Sequence, residues 1–183
     1  DSVGDLRLYA TDALDYKNGQ YLKAILPLIT ESDEREFIEQ RIKISTDAKK
    51  AAAFTLVIGN PPYKNNSRLT LSQVAARFPR LLSLAKENAK AQERNPRDDY
   101  AWFFAASDYY VGDRGIICFI SSDSYASRFS YRYFRQSLLR YYAVRLLVRL
   151  GEGIFQDVGP RLSFCIALLE KRDTPLEILD DVE

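Results

Sequence analysis

The sequence comprises 183 residues, of which 46% are hydrophobic and 28% are charged, which is enough apolar material for one globular domain with its own core. The formal net charge of +1 neither favours nor opposes nucleic-acid binding, and no apolar run approaches the roughly 20 residues of a membrane-spanning helix. The chain contains no histidine, which excludes Ser-His-Asp catalysis, Cys-His catalysis and histidine-ligated metal sites within these residues.

Apolar runs of strand length alternate with helical patterns along the chain. In chain order, the pattern predicts strand 6–10, helix 31–50, strand 54–58, helix 72–94, helix 99–111, strand 115–120, helix 128–142, strand 144–150 and strand 164–169. Pro79 is expected to interrupt the second helix. Strands that alternate with helices predict an α/β fold with a largely parallel sheet. The last strand follows a loop and is therefore expected to insert antiparallel.

The most informative segment is Asn60-Pro61-Pro62-Tyr63, which directly follows the apolar run 54–59. The run is short, rich in β-branched residues and ended by glycine, which predicts a fully buried central strand of a parallel sheet. Ligands of open α/β sheets bind outside the carboxyl ends of the strands. The tetrapeptide is therefore predicted to lie at a ligand site.

The four residues suit recognition of a flat ring that carries an amino group. Each proline fixes φ and lacks an N–H group, so the turn is stiff and its carbonyl groups remain available as acceptors. The Asn60 side-chain oxygen and the Pro61 carbonyl oxygen can together accept both hydrogens of an exocyclic amine, and Tyr63 offers a stacking face. The alternative interpretation is a plain proline turn, in which Tyr63 packs as a lid on the sheet.

At these residues the sequence resembles a known family. Segment 58–63 looks like the signature of amino-group methyltransferases that use S-adenosylmethionine, above all the DNA adenine-N6 enzymes of restriction–modification systems. Further segments resemble segments of this family and follow one another along the chain in a gamma-like order. They are a strand with an acidic turn at 6–14, a core strand at 115–121, a closing loop at 151–155 and a strand at 163–169. The resemblance therefore covers nearly the whole chain.

This resemblance implies a partial class I methyltransferase domain with a Rossmann-like α/β fold, a mostly parallel sheet and flanking helices. It implies that the tetrapeptide is catalytic, and that Asp12, Ala13 and Asn60 bind S-adenosylmethionine. Phe155 matches an aromatic residue of the family, which together with Tyr63 would stack on an adenine flipped out of double-stranded DNA. Methylation of an adenine amine needs no general base, which agrees with the absence of histidine.

One feature of the family is missing from this sequence. The family carries a glycine-rich loop before the segment that holds Asp12, and no such loop occurs here. The chain is therefore expected to be a segment of a larger polypeptide, with residues 1–172 as a partial catalytic domain and residues 173–183 as a linker. Such a segment is expected to bind S-adenosylmethionine poorly or not at all. The resemblance also suggests a nuclease, helicase or target-recognition region in the complete protein.

Segment 124–150 is rich in arginine and aromatic residues and contains no Asp or Glu. Arginine among aromatic residues suits phosphate contacts and base stacking. Most of these aromatic side chains are nevertheless expected to pack on the sheet. Arg128 and Arg132, near the start of the predicted helix and on the expected substrate side, are the predicted contacts to DNA phosphates.

The residues leave several alternatives open. Asp12 can simply cap the turn after its strand instead of binding a cofactor. Similar tetrapeptides serve methyltransferases that act on protein glutamine or on guanine in RNA. A third alternative is a DNA-binding module that keeps the fold without activity.

The two cysteines give an indication of the cellular compartment. Cys118 and Cys165 each lie in a predicted apolar strand, which favours buried thiols over a disulfide or a metal pair. Together with the resemblance to restriction–modification enzymes, this predicts a cytoplasmic protein of a prokaryote, without a membrane segment.

Overall fold

The structure is a computed structural model that describes residues 26–50, 53–63, 69–87, 98–155 and 162–177. The chain divides into two compact units, residues 1–52 and 53–183. In the first unit, a short 3-10 turn at Leu26–Leu28 precedes helix α1 at Ser32–Lys50. The predicted strand 6–10 lies outside the described residues. None of the described helices is both long and apolar enough to cross a membrane.

The second unit is built on a four-stranded sheet. Its strands are β1 at Phe54–Gly59, β2 at Val111–Ser122, β3 at Tyr142–Glu152 and β4 at Ser163–Lys171, in the order β1-β2-β4-β3. β1 pairs parallel with β2, whereas β4 pairs antiparallel with both β2 and β3. Three strands therefore run in one direction and β4 runs against them. This confirms the α/β prediction and the antiparallel insertion of the last strand.

Helices and turns connect these strands. They are α2 at Leu71–Arg77, α3 at Ser83–Glu87, α4 at Asp99–Tyr110, α5 at Ser124–Ser127, a 3-10 turn at Phe129–Tyr131 and α6 at Arg132–Tyr141. The helix predicted at 72–94 is interrupted at Pro79 as expected, because α2 ends at Arg77 and α3 begins at Ser83. A capping box starts α2: Thr70 Oγ1 accepts from the Gln73 N–H group at 3.3 Å, and Gln73 Oε1 accepts from the Thr70 N–H group at 2.9 Å.

The core of the second unit contains a cluster of aromatic rings between the sheet and helices α4 and α6. Phe104 of α4 lies 4.9 Å from Phe119 of β2 and 6.1 Å from Phe134 of α6, measured between ring centroids. Helix α4 is apolar on nearly all sides and is accordingly buried on nearly all sides. Tyr125 and Tyr131 are buried as well, so much of the aromatic content of segment 124–150 packs inside, as expected.

Both cysteines are free thiols, as predicted. Cys165 of β4 is buried and its Sγ atom lies 3.3 Å from the Tyr125 hydroxyl group, while Cys118 of β2 is only half-buried.

Strand β1 differs from its prediction as a fully buried central strand. Among the described residues β1 pairs only with β2, and it forms an edge of the sheet. Phe54, Leu56 and Ile58, which share one face of the strand, are 47%, 53% and 73% exposed. Burial on both faces requires neighbours on both faces, and a short apolar run in a sequence does not show whether those neighbours are present.

A buried polar network joins α4 to the ends of β3 and β4. Asp108 Oδ1 accepts a hydrogen bond from the Tyr142 hydroxyl group at 2.8 Å, and it lies 3.5 Å from Arg80 Nη1 and 3.9 Å from Lys171 Nζ. Lys171 Nζ also donates to the carbonyl groups of Asp108 and Val111. Burial raises the pKa of Asp108 and lowers the pKa of Lys171. Desolvation therefore outweighs the attraction between these two charges.

Removal of the carboxylate by Asp108→Ala should destabilise the fold by about 3–5 kcal/mol. The reason is that the Lys171 ammonium group would stay buried without its counter-charge, and the Tyr142 hydroxyl group would lose its acceptor. Urea unfolding followed by circular dichroism measures this loss.

Glu170→Ala provides the matched control, because Glu170 holds Arg145 of the neighbouring strand at 2.6 Å and the Arg145 side chain is 59% exposed. Since exposed ion pairs contribute little, this variant should lose less than about 1 kcal/mol. Equal losses in the two variants would contradict the assigned role of the Asp108 network.

Candidate active site

The tetrapeptide lies at the carboxyl end of β1, as predicted. Asn60 is exposed, Pro61 is buried and Tyr63 is half-buried. Gly59, the last residue of β1, pairs with Phe119 of β2, and β2 continues for three residues to Ser122, so the carboxyl ends of both strands lie at the same edge of the sheet. The stiff proline turn therefore presents the Asn60 side chain at the edge of the sheet where ligands of such folds bind.

Within the tetrapeptide, the Tyr63 hydroxyl group donates a hydrogen bond to Asn60 Oδ1. Burial raises the pKa of Tyr63 above its ordinary value, so the hydroxyl group stays protonated and remains a donor at neutral pH. In this arrangement the Asn60 amide turns its oxygen toward the Tyr63 hydroxyl group. A carbonyl oxygen has two lone pairs, so Asn60 Oδ1 keeps the capacity to accept a second hydrogen bond.

Three rings meet beside Asn60 and form what we call the aromatic cluster: Tyr63, Phe155 and Phe164. The Tyr63 ring lies 6.0 Å from Phe155 with an interplanar angle of 31°, and 4.7 Å from Phe164 with an angle of 74°. Phe155 and Phe164 are 4.9 Å apart, edge to face. The structure thus brings together Tyr63 and Phe155, the two residues predicted to stack on a base. They come from opposite ends of the described sheet order, β1 and β3.

The separation of Tyr63 and Phe155 bears on what can bind between them. Two rings that hold a base need a separation of about 7 Å, twice the stacking rise of ~3.4 Å per base. The 6.0 Å between the Tyr63 and Phe155 centroids is shorter than this, so the two rings must move apart to admit a base. Phe155 is half-buried, as Tyr63 is, but it follows Gly151 and Gly153 and not a stiff proline turn, which makes it the more adjustable partner.

Phe164 was not predicted as a site residue. It is 1% exposed and lies near the start of β4, where it pairs with Ser122 of β2 and with Gly151 of β3. Its position beneath the other two rings makes it the floor of the aromatic cluster. The sequence signal was an aromatic residue at the start of a strand that follows a loop, which is equally typical of core packing.

Sequence reasoning also missed a polar cluster at the same end of the sheet. Asp123 follows β2 directly, and its Oδ2 atom accepts from Arg149 Nε at 2.9 Å, from Arg149 Nη2 at 2.7 Å and from Ser163 Oγ at 2.9 Å. The Asp123 N–H group also donates to the Ser163 carbonyl group at 3.0 Å. The polar run 121–124 after an apolar strand was the signal that could have revealed it.

Of the two predicted phosphate contacts, Arg128 lies between β2 and α6, and Arg132 is the first residue of α6. Because α5 follows the carboxyl end of β2 and α6 returns to the start of β3, the beginning of α6 lies toward the same end of the sheet as the tetrapeptide. Arg128 is exposed. The Arg132 guanidinium group lies 4.7 Å from the Phe129 ring and 4.5 Å from the Tyr133 ring, and it donates to the Tyr133 hydroxyl group at 2.6 Å.

Two of the three predicted cofactor residues, Asp12 and Ala13, lie outside the described residues. Asn60 is therefore the one predicted cofactor contact that the described part of the chain contains, and its exposed position at the end of β1 fits a ligand contact.

The sheet order β1-β2-β4-β3, with its antiparallel β4 and flanking helices, is the α/β arrangement that the sequence predicted. The chain belongs to the Eco57I restriction-modification methylase family, whose model matches residues 6–155. No curated protein matches the chain.

Solved structures share this fold at low sequence identity. The ATP-dependent Type ISP restriction-modification enzyme LlaBIII bound to DNA has a TM-score of 0.60 and 22% identity over 81% of this chain. A nuclease-deletion mutant of the Type ISP enzyme LlaGI, in complex with a DNA substrate mimic, has a TM-score of 0.60 and 20% identity over 80%. The DrdV–DNA complex has a TM-score of 0.54 and 17% identity over 75%. The chain spans only 11%, 13% and 15% of these three proteins.

Different roles for Phe164 and Phe155 predict different effects on stability. Phe164→Ala should cost about 3–5 kcal/mol of unfolding free energy, because it empties a fully buried position. Phe155→Ala should cost clearly less, because the ring is already partly in water. Urea unfolding of both variants measures the difference, and a larger loss for Phe155→Ala would contradict the assignment of Phe164 as the floor.

Proposed function

We propose that the complete protein transfers a methyl group from S-adenosylmethionine to the N6 amine of adenine in DNA, as part of a prokaryotic, cytoplasmic restriction–modification enzyme. The observation that carries this proposal is the exposed Asn60 amide, oriented by Tyr63 and flanked by the aromatic cluster at the end of β1. Membership of a restriction-modification methylase family supports it.

The proposed chemistry begins with two acceptors. An adenine amine is a weak nucleophile because its lone pair is delocalised into the ring. Asn60 Oδ1 and the Pro61 carbonyl oxygen accept its two hydrogens, which draws the nitrogen toward tetrahedral geometry and localises the lone pair. Because the proline turn holds both acceptors in place before the substrate arrives, little reorganisation is needed during the reaction.

The aromatic cluster holds the base. The N6 amine of a paired adenine is not accessible to these residues inside a duplex, so the nucleotide must be flipped into the site. Tyr63 and Phe155 then contact the two faces of the purine, and Phe164 supports both rings from below. Since aromatic stacking contributes about 1–3 kcal/mol per base, it offsets part of the cost of unstacking.

S-adenosylmethionine supplies an electrophilic methyl group when it is bound. We propose that Asn60 contacts the cofactor as well as the base, and that Asp12 and Ala13 complete the set of cofactor residues. This chain's part in the reaction is thus to align the amine, and the proton that the methylated amine releases passes to solvent, so no titrating base is needed.

DNA as the substrate is supported by the similar structures, which are described as bound to DNA or to a DNA substrate mimic. In this chain, Arg128 and Arg132 are the proposed phosphate contacts, since they lie toward the active end of the sheet in a segment without acidic residues. A nuclease, helicase or target-recognition region in the complete protein is part of the proposal, because LlaGI was studied as a nuclease-deletion mutant.

Asn60→Ala in the complete protein should reduce methyl transfer at least 100-fold while leaving DNA affinity within about twofold, because it removes one amine acceptor but no phosphate contact. Transfer of tritium from labelled S-adenosylmethionine to unmethylated genomic DNA, followed by nucleoside analysis, measures the rate and identifies the product. Methylated protein glutamine or RNA guanine as the sole product, or no methylation and no cofactor binding by the wild type, would refute the proposal.

Tyr63→Phe refines this test, because it keeps the ring and removes only the hydrogen bond to Asn60 Oδ1. We expect a roughly tenfold lower kcat, the equivalent of one hydrogen bond of about 1.4 kcal/mol. Tyr63→Ala should lose more, since the stacking face also disappears.

Arg132→Ala should weaken DNA binding several-fold and reduce the slope of log affinity against log salt by about 0.9, the value expected for one phosphate contact. Arg140→Ala is the matched control: its guanidinium group also lies over a tyrosine, 5.6 Å from the Tyr141 ring, but near the opposite end of α6. Fluorescence anisotropy over a salt series measures both variants. An equal change of DNA affinity in the two variants would show that the start of α6 has no special role in binding DNA phosphates.

A further inference from the structure

The carboxylate of Asp123 connects three strands at the active end of the sheet. Asp123 follows β2, Arg149 lies in β3 and Ser163 begins β4. All three side-chain hydrogen bonds converge on the single oxygen Oδ2, at distances of 2.7–2.9 Å. The Asp123 side chain is only 8% exposed, so its charge depends on these donors in place of water.

The positions of the two partners show what this carboxylate holds. Arg149 lies three residues before Glu152, where β3 ends and the chain continues toward Phe155, and Ser163 lies immediately before Phe164. Asp123 therefore binds one residue near each end of the connection that carries Phe155, and one of these two residues is next to Phe164. The two rings of the aromatic cluster that do not belong to the tetrapeptide are thus tied to one carboxylate.

On the β3 side the connection has backbone pairing but little side-chain support. Gly151 and Gly153 have φ values of 85° and 74°, and within the described structure no atom outside the adjacent residues lies within 4 Å of a Cβ built at either position. The β3–β4 register shifts between Arg149 and Gly151, although Gly151 still pairs with Phe164 and Glu152 with Ser163. Among the described residues, the pair with Asp123 is consequently the last ion pair of β3 before Phe155.

We propose that Asp123 is a positioning residue for the methyl-transfer site: through Arg149 and Ser163 it sets the places of Phe155 and Phe164 against Tyr63. This inference rests on the proposed function, since the aromatic cluster matters for catalysis only if it holds a base. Asp123 makes no proposed contact with the substrate. Its effect is transmitted through the ends of β3 and β4.

The burial of the two charges determines which variant tests the idea. The Arg149 side chain is 65% exposed, so Asp123→Ala leaves a guanidinium group that water can solvate. Arg149→Ala would instead leave a buried carboxylate with only Ser163 as a side-chain donor, which is a far greater threat to folding. Asp123→Ala is therefore the informative change, and Ser163→Ala is the milder second variant.

In the complete protein, Asp123→Ala should lower kcat for methylation of unmethylated genomic DNA by about 10–100-fold, since a misplacement of about 1 Å can cost 10²-fold. The dissociation constant for DNA should change less than twofold, because phosphate contacts are untouched. Ser163→Ala should show the same pattern with a smaller loss, about three- to tenfold. The split between kcat and DNA affinity is the readout that a general loss of stability would not produce.

Glu170→Ala is the matched control, because the Arg145–Glu170 pair joins the same two strands, β3 and β4, at the opposite end. It should leave kcat within about twofold of the wild type. An unchanged kcat in both Asp123→Ala and Ser163→Ala, or an equal loss in Glu170→Ala, would overturn the inference. If the wild type itself does not methylate DNA, the proposed function fails, and the inference fails with it; a wild type that is active and an Asp123→Ala variant that is equally active contradict the inference alone.

Discussion

The insertion of β4 between β2 and β3, opposite in direction to both, is the constraint on which the site depends. Because β4 runs antiparallel, its first residues meet the carboxyl ends of its neighbours, and Phe164 lies between Ser122 and Gly151. A parallel strand in the same place would bring its last residues there. The direction of one strand thus decides that an aromatic residue near the start of β4 faces the tetrapeptide after β1.

The sheet is held at its two ends by buried carboxylates that differ in their surroundings. Asp108 pairs with Lys171, which is itself buried, and with the hydroxyl group of Tyr142. Asp123 pairs with Arg149, whose side chain is largely in water. Since breaking a pair costs less when one partner can be solvated, the end near Asp123 can rearrange more readily than the end near Asp108. A rigid end near Asp108 and an adjustable end near Asp123 agree with the proposed function, in which the site opens around a flipped nucleotide.

Much of the fold follows from local pattern. The strands, the interruption at Pro79 and the place of the tetrapeptide after β1 depend on hydrophobic period and on proline stereochemistry, which are local properties. Residues that matter through distant partners were not predicted. Phe164 and Asp123 acquire their roles from strands far away in the sequence, and the exposure of β1 depends on neighbours that its own residues do not specify. Tyr63 and Phe155, whose rings are neighbours in the structure, were predicted together only because a family resemblance supplied the long-range information.

Three glycines of the second unit are constrained for two different reasons, and the residues that replace them in related sequences should differ accordingly. Gly115 is crowded, because a Cβ there would overlap the Val111 side chain and approach the Phe54 carbonyl oxygen at 2.9 Å. Among the described residues, no side-chain neighbour crowds Gly151 or Gly153, but both have left-handed backbone angles. Among related sequences, asparagine is consequently an acceptable replacement at the second pair, whereas no side chain of any size is acceptable at Gly115. At positions where a related sequence has replaced one of these glycines, the replacing residue shows whether steric space or the backbone torsion angle is still the limiting constraint.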